Sequence, residues 1–139
     1  MTRLSTLALV FISGFLAGTF GIGMLAAQRS TVPGSRSRTL LKADLTGCEG
    51  KEVSITLDEF GPGTSGKHYH PGESFTYLLD GSEVYEIDGK PSKVVSAGDL
   101  LHEEPMQVHT VGNTAPVKLL VVRVLDKGQP DTVWINPRP

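Results

Sequence analysis

The sequence predicts an all-β domain, an antiparallel sandwich or barrel, set behind an apolar N-terminal segment. Three observations lead there. Short stretches of apolar–polar alternation with a period of two recur from about residue 40 onward. Gly, Pro and Asp turn signals close these stretches at regular spacing. No segment after the N-terminal run carries a helical period. A chain of 139 residues is the size of one domain.

Leu4 to Ala27 is a run of 24 residues without a charge, preceded by Arg3. As a helix rising about 1.5 Å per residue it could span a bilayer, so residues 1–27 are expected to form a helix that serves as a signal peptide or membrane anchor. A buried core helix is the alternative, but such helices are usually shorter and amphipathic. Ala26-Ala27-Gln28 offers a cleavage site, although Leu25 stands where a small residue is preferred. Export to the periplasm or the cell exterior is expected. A positive-inside count argues the other way, since Arg29, Arg36, Arg38 and Lys42 follow the run. Leu45-Thr46-Gly47-Cys48 resembles a lipoprotein box, but polar, basic residues from Gln28 to Asp44 separate it from the apolar core. Cys48 is instead expected to be a half-buried residue at the domain edge; as the lone cysteine it has no internal disulfide partner.

Residues 28–39 read as a flexible linker, 40–127 as the barrel and 128–139 as a surface tail that Trp134 and Ile135 could pin to the barrel or to a second subunit, which leaves a homodimer open. Val53, Ile55 and Leu57 alternate with Ser54, Thr56 and Asp58, placing the apolar residues on one face. Gly61-Pro62-Gly63 breaks that strand. Phe75, Tyr77 and Leu79 alternate up to Asp80-Gly81; Tyr85 and Ile87 follow, closed by Asp88-Gly89. Val94-Val95 precedes the turn at Ala97-Gly98-Asp99, and Leu119–Val124 reads as a strand covered on both faces.

Charge narrows the function. Four of the 13 basic residues lie in residues 1–38, which hold no acid; the other nine face all 15 acidic residues in 39–139, giving that part −6. An acidic domain without a basic stripe repels phosphate backbones, which argues against nucleic acid as a partner. No Ser-His-Asp elbow, phosphate-cradling Gly loop or Cys pair is present.

The chemistry gathers at histidine. On a strand, His68 and His70 point to one face, and neutral imidazole is a common metal ligand. His109 lies in a second segment running from Gly98 to Asn113; its spacing alone does not place it beside the pair. His102 stands on the strand before that segment's loop.

These two segments resemble the paired motifs of the cupin superfamily. The first family motif reads His-x-His, three or four residues, Glu, six residues, Gly; His68, His70 and Gly81 match it. The second reads Gly, five residues, Pro-x-Gly, two residues, His, three residues, Asn; Gly98, His109 and Asn113 match. The resemblance spans about Gly61 to Asn113 and implies a double-stranded β-helix, the cupin jelly-roll barrel, around a metal bound by His68, His70 and His109, with ring nitrogens converging within roughly twice a 2.0–2.2 Å bond.

The departures matter. The family's glutamate falls on Ser74, with Glu73 one residue early. Alternation sends these two to opposite faces, but the turn after Pro71-Gly72 is expected to swing Glu73 inward as the fourth ligand or as a base on metal-bound water, the competing outcome being Ser74 inward and Glu73 in solvent. Glu104 and Met106 replace the Pro and Gly of the second motif. Ser74, Thr76 and His102 are read as lining a substrate pocket. The resemblance thus implies a divalent transition metal, one of Mn, Fe, Ni, Cu or Zn, and a small-molecule ligand or substrate. Oxygenase or isomerase chemistry and a non-catalytic cupin that binds small molecules or has lost its metal both remain open.

Overall fold

The structure is a computed structural model that describes residues 34–135. The N-terminal helix, and with it the signal or anchor segment, lies outside the described residues. The described chain is β throughout, with no helix. Eleven strands run in chain order: β1 (Arg36–Asp44), β2 (Lys51–Phe60), β3 (Gly63–Thr64), β4 (His68–Tyr69), β5 (Glu73–Asp80), β6 (Ser82–Ile87), β7 (Lys93–Ser96), β8 (Leu100–Glu103), β9 (His109–Asn113), β10 (Val117–Asp126) and β11 (Val133–Trp134). The first strand begins at Arg36, inside the stretch read as a linker, and the tail contributes β11.

Two antiparallel sheets face each other. One has the order β1-β2-β10-β5-β8; the other runs β11-β4-β9-β6-β7, with β3 paired to β9. The chain changes sheet at Asp80-Gly81, where Gly81 has φ +83° and a Cβ would lie 2.7 Å from the Pro116 carbonyl oxygen. Only glycine fits that turn without a clash. Gly72, between His70 and β5, is tighter still: a Cβ there would meet the Val124 carbonyl oxygen at 2.0 Å.

The apolar core sits at one end, where Leu78, Tyr85, Val95, Leu101, Leu119 and Val121 pack together. Beyond it the interior turns polar. Ser54, Thr56 and Asp58 of β2 point inward and are buried, while Val53, Ile55 and Leu57 point outward and are half-covered. The apolar face of β2 is therefore the outer one. A period of two separates faces without saying which is interior, and here a polar cavity claims the polar face. β10 behaves alike: Leu120, Val122 and Val124 lie on the outer face, so this strand is not covered on both sides. Cys48, in the turn between β1 and β2, is exposed rather than half-buried.

Candidate metal centre

The site assembles from strand pairing. His68 pairs with Trp134 of β11 on one side and with His109 of β9 on the other, and His109 pairs in turn with Ile87 of β6. His70 follows two residues after His68 and is pinned from the loop of the second motif, where the Met106 N–H donates to its carbonyl (2.8 Å). Met106 holds φ +63° to make that bond, which is why glycine is usual there. The Asn113 amide donates to the carbonyls of Gly61 (2.8 Å) and Ala115 (2.7 Å), fixing the loops at the end of β9. Asn113 is thus structural.

His68, His70 and His109 are all buried, at 7%, 4% and 1% exposure, with one ligand atom of each within 4.8 Å of the others. That is slightly more than twice a 2.0–2.2 Å metal–nitrogen bond, so loading an ion draws the rings in by a few tenths of an ångström. Each Nδ1–H donates to a backbone carbonyl: His68 to Gly66 (2.8 Å), His70 to Asp131 (2.7 Å) and His109 to Gln107 (2.9 Å). A carbonyl can only accept, so the proton sits on Nδ1 and each Nε2 presents a lone pair. Burial keeps the rings neutral. Desolvation, reinforced by the neighbouring histidines, pushes His68 down to about 3; desolvation and then the Arg123 charge push His70 to about 3. His109 is lowered too, by burial, with Glu103 opposing.

Glu103 is the site residue that motif reading misses. It is 5% exposed and pairs across strands with Ser74, the position of the family's glutamate. Its Oε1 lies 3.4 Å from His109 Nε2 and its Oε2 3.7 Å from His70 Nε2. The Thr76 hydroxyl donates to Oε2 at 3.5 Å. The buried carboxylate of this site therefore stands on β8, directly across from the β5 position. The signal in the sequence was the alternation of β8: His102 and Glu103 must take opposite faces, so only one of them can enter the barrel.

The expected fourth ligand does not reach the site. Glu73 points outward on β5 and accepts a 2.5 Å hydrogen bond from His102 Nε2, and His102 stacks on Phe75 with centroids 4.8 Å apart. Pro71-Gly72 introduces no bulge: β5 is regular from Glu73, so alternation decides. Glu73 and His102 are outer-face residues, not ligand or pocket residues. Ser74 does face inward, fully buried with no partner for its hydroxyl, and Thr76 lines the cavity.

The residues present fit a metal ion. Neutral His109 Nε2 is buried with no hydrogen-bond partner. Three imidazole Nε2 atoms face one another beside the Glu103 carboxylate, and no histidine Nδ1 proton points among them. Acceptors set against acceptors repel unless a cation lies among them. The adjoining cavity, about 230 Å³, opens past His68, His70 and Trp134 toward Asp58, Glu83 and Arg123. Burial beside Glu103 and Asp58 raises the Glu83 carboxyl to about 7.

Residues 56–123 match the cupin domain family. No curated protein matches by sequence. Among solved structures, the chain is similar to a cupin superfamily protein from Desulfitobacterium hafniense (18% identity, 70% of this chain and 84% of that one, TM-score 0.57) and a cupin-like protein from Thermotoga maritima (22%, 73% and 76%, 0.56). It is also similar to the polyketide cyclase RemF from Streptomyces resistomycificus (19%, 81% and 80%, 0.60). At these identities the likeness is one of fold, and the fold of the described chain is the cupin jelly roll.

Proposed function

We propose that this chain is an exported cupin that holds a divalent transition metal on His68, His70 and His109, with Glu103 as fourth donor, and acts on or binds a small molecule in its barrel. The observation that supports it most is the convergence of three buried imidazoles, each with its Nδ1 proton held by a backbone carbonyl, beside the buried Glu103 carboxylate. Bound there, the ion would supply a Lewis acid with an open coordination position. The protein's part is to hold the rings. Three backbone carbonyls fix the tautomers, Thr76 steadies Glu103, and Trp134 covers His68 with centroids 4.7 Å apart. Mixed nitrogen and oxygen donors suit Mn, Fe, Ni, Cu or Zn.

Metal analysis of the untagged protein tests the reading. About one divalent ion per chain is expected, lost in His109→Ala and held roughly tenfold or more weakly in Glu103→Gln. Wild-type protein that takes up none of the five ions contradicts it. Export rests on the charge-free run from Leu4 to Ala27 and is checked by fractionation, which should find the barrel outside the cytoplasm.

A further inference from the structure

Past the histidines, the barrel holds a cation that no protein group answers at contact distance. Arg123 points inward from β10, is 9% exposed and lines the cavity. Its Nε has no hydrogen-bond partner, and no carboxylate among the described residues forms an ion pair with it. Of the four buried acids among the described residues, Glu83 lines the same cavity without forming an ion pair with Arg123, and the other three have partners of their own. Glu52 pairs with Lys42 at 2.8 Å. Asp58 accepts from the hydroxyls of Ser37 (2.5 Å) and Thr56 (3.2 Å); the Arg123 charge reaches its carboxyl and opposes the upward push of burial, but the two form no ion pair. Glu103 faces the histidines.

The cross-strand neighbours of Arg123 are two serines, Ser54 on β2 and Ser74 on β5. The Ser74 hydroxyl is also buried without a partner. Two adjacent residues thus each bury an unanswered polar atom, one of them cationic. Such an arrangement costs folding free energy unless something that enters the cavity completes it.

We propose that Arg123 is the anion subsite of the barrel, and that the ligand is a small organic acid whose carboxylate docks on Arg123 while its other end faces the His68–His70–His109 centre. The proposal rests on the site described under Proposed function and names its ligand class. A guanidinium presents a planar fork that matches a carboxylate with two parallel hydrogen bonds. There is one such cation, and Asp58, Glu83, Glu103 and Asp131 line the same cavity, so a dianionic phosphate meets more repulsion than a monoanion. The cavity volume of about 230 Å³ suits a small molecule.

The test titrates the full chain, metal-loaded and metal-free, with lactate, malonate and benzoate and with their neutral amides. Calorimetry and the fluorescence of Trp134, the single tryptophan, which lines the cavity, report binding. At least one carboxylate is expected to bind wild type at least tenfold more tightly than its amide. Arg123→Gln should abolish that preference with metal content unchanged, and Arg123→Lys, which keeps the charge but loses the fork, should restore part of it. The comparison of acid with amide in wild type needs no variant, so a folding defect in Arg123→Gln leaves the proposal exposed to refutation. It is overturned if none of the three carboxylates binds, if amides bind as well as acids, if inorganic phosphate binds more tightly than all three, or if a folded Arg123→Gln keeps the preference. Metal uptake measured on the same protein separates the two readings: a chain that takes up none of the five ions yet binds a carboxylate through Arg123 sinks the metal centre and leaves the subsite standing.

Discussion

Glu103 and Glu73 show how far single residues can be read. Both are glutamates near a histidine in sequence, and the alternation that expelled Glu73 is the same rule that admitted Glu103. The three histidines were legible because spacing within two motifs fixes them. Glu103 was not, because its place depends on the pairing of β5 with β8, a contact made 29 residues away in sequence at Ser74. Glu83 allows a test of the interior's polarity. Its carboxyl is raised by burial, then by Glu103 and Asp58, to about 7 from 4.5. The folded state therefore binds the extra proton between those pH values, and stability falls as pH rises through that window. Glu83→Gln should stabilise the protein by roughly 1–3 kcal/mol above pH 7 and by nothing below about pH 4.5, as urea titrations across pH will read. The buried histidines of the metal-free protein act with the opposite sign. With His68 and His70 lowered to about 3 from 6.5, the unfolded chain binds more protons between those values. Their contribution rises with pH through that window and is lost as pH falls from about 6.5 toward 3. Met106, left-handed at φ +63° and exposed, should gain about 0.5–1 kcal/mol on replacement by glycine, where the same change at an ordinary exposed site would cost stability.

At the scale of elements, the β assignment and most turns were legible, because alternation and the Asp-Gly pairs are local signals. Which face of β2 looks inward was not. Ser54, Thr56 and Asp58 face the interior because that end of the barrel encloses a polar cavity rather than an apolar core, and nothing in a period of two announces a polar inside. The pairing of β5 with β8 also makes a concrete prediction. Ser74 and Glu103 are direct cross-strand partners, so exchanging them moves the carboxylate to β5 without changing the charge of the barrel. Glu103→Ser should weaken metal retention, and Ser74→Glu combined with Glu103→Ser should recover most of it. Equal loss in single and double variants would show that the carboxylate's strand matters or that it is no ligand; equal retention in both would exclude a ligand role. Gly72 is the structural counterpart: Gly72→Ala forces a Cβ to 2.0 Å from a carbonyl and should cost several kcal/mol, lowering both melting temperature and metal content because His70 is two residues away.

For the whole molecule, the outward apolar residues form continuous rows. Leu57, Leu120, Tyr77 and Leu100 make one row across the first sheet; Leu41, Ile55, Val122 and Phe75 make the next. Strands of nine, ten, ten, eight and four residues, about 4.8 Å apart with a rise of about 3.3 Å per residue, give this face roughly 650 Å², within the range that a stable interface takes from each partner. We propose that a second copy of the chain covers it, since a face can meet its own copy across a two-fold axis without any further element. Light scattering should find a dimer that Leu120→Lys converts to monomer; a wild-type monomer would contradict the proposal. The central claim, the metal centre, is tested most directly by a crystal structure of metal-loaded protein with anomalous scattering at the ion's absorption edge. One peak is predicted, about 2.0–2.2 Å from the Nε2 atoms of His68, His70 and His109, with a Glu103 oxygen beside it. A loaded crystal with no peak among those three rings, or with its only peaks on the outer surface, would contradict the account.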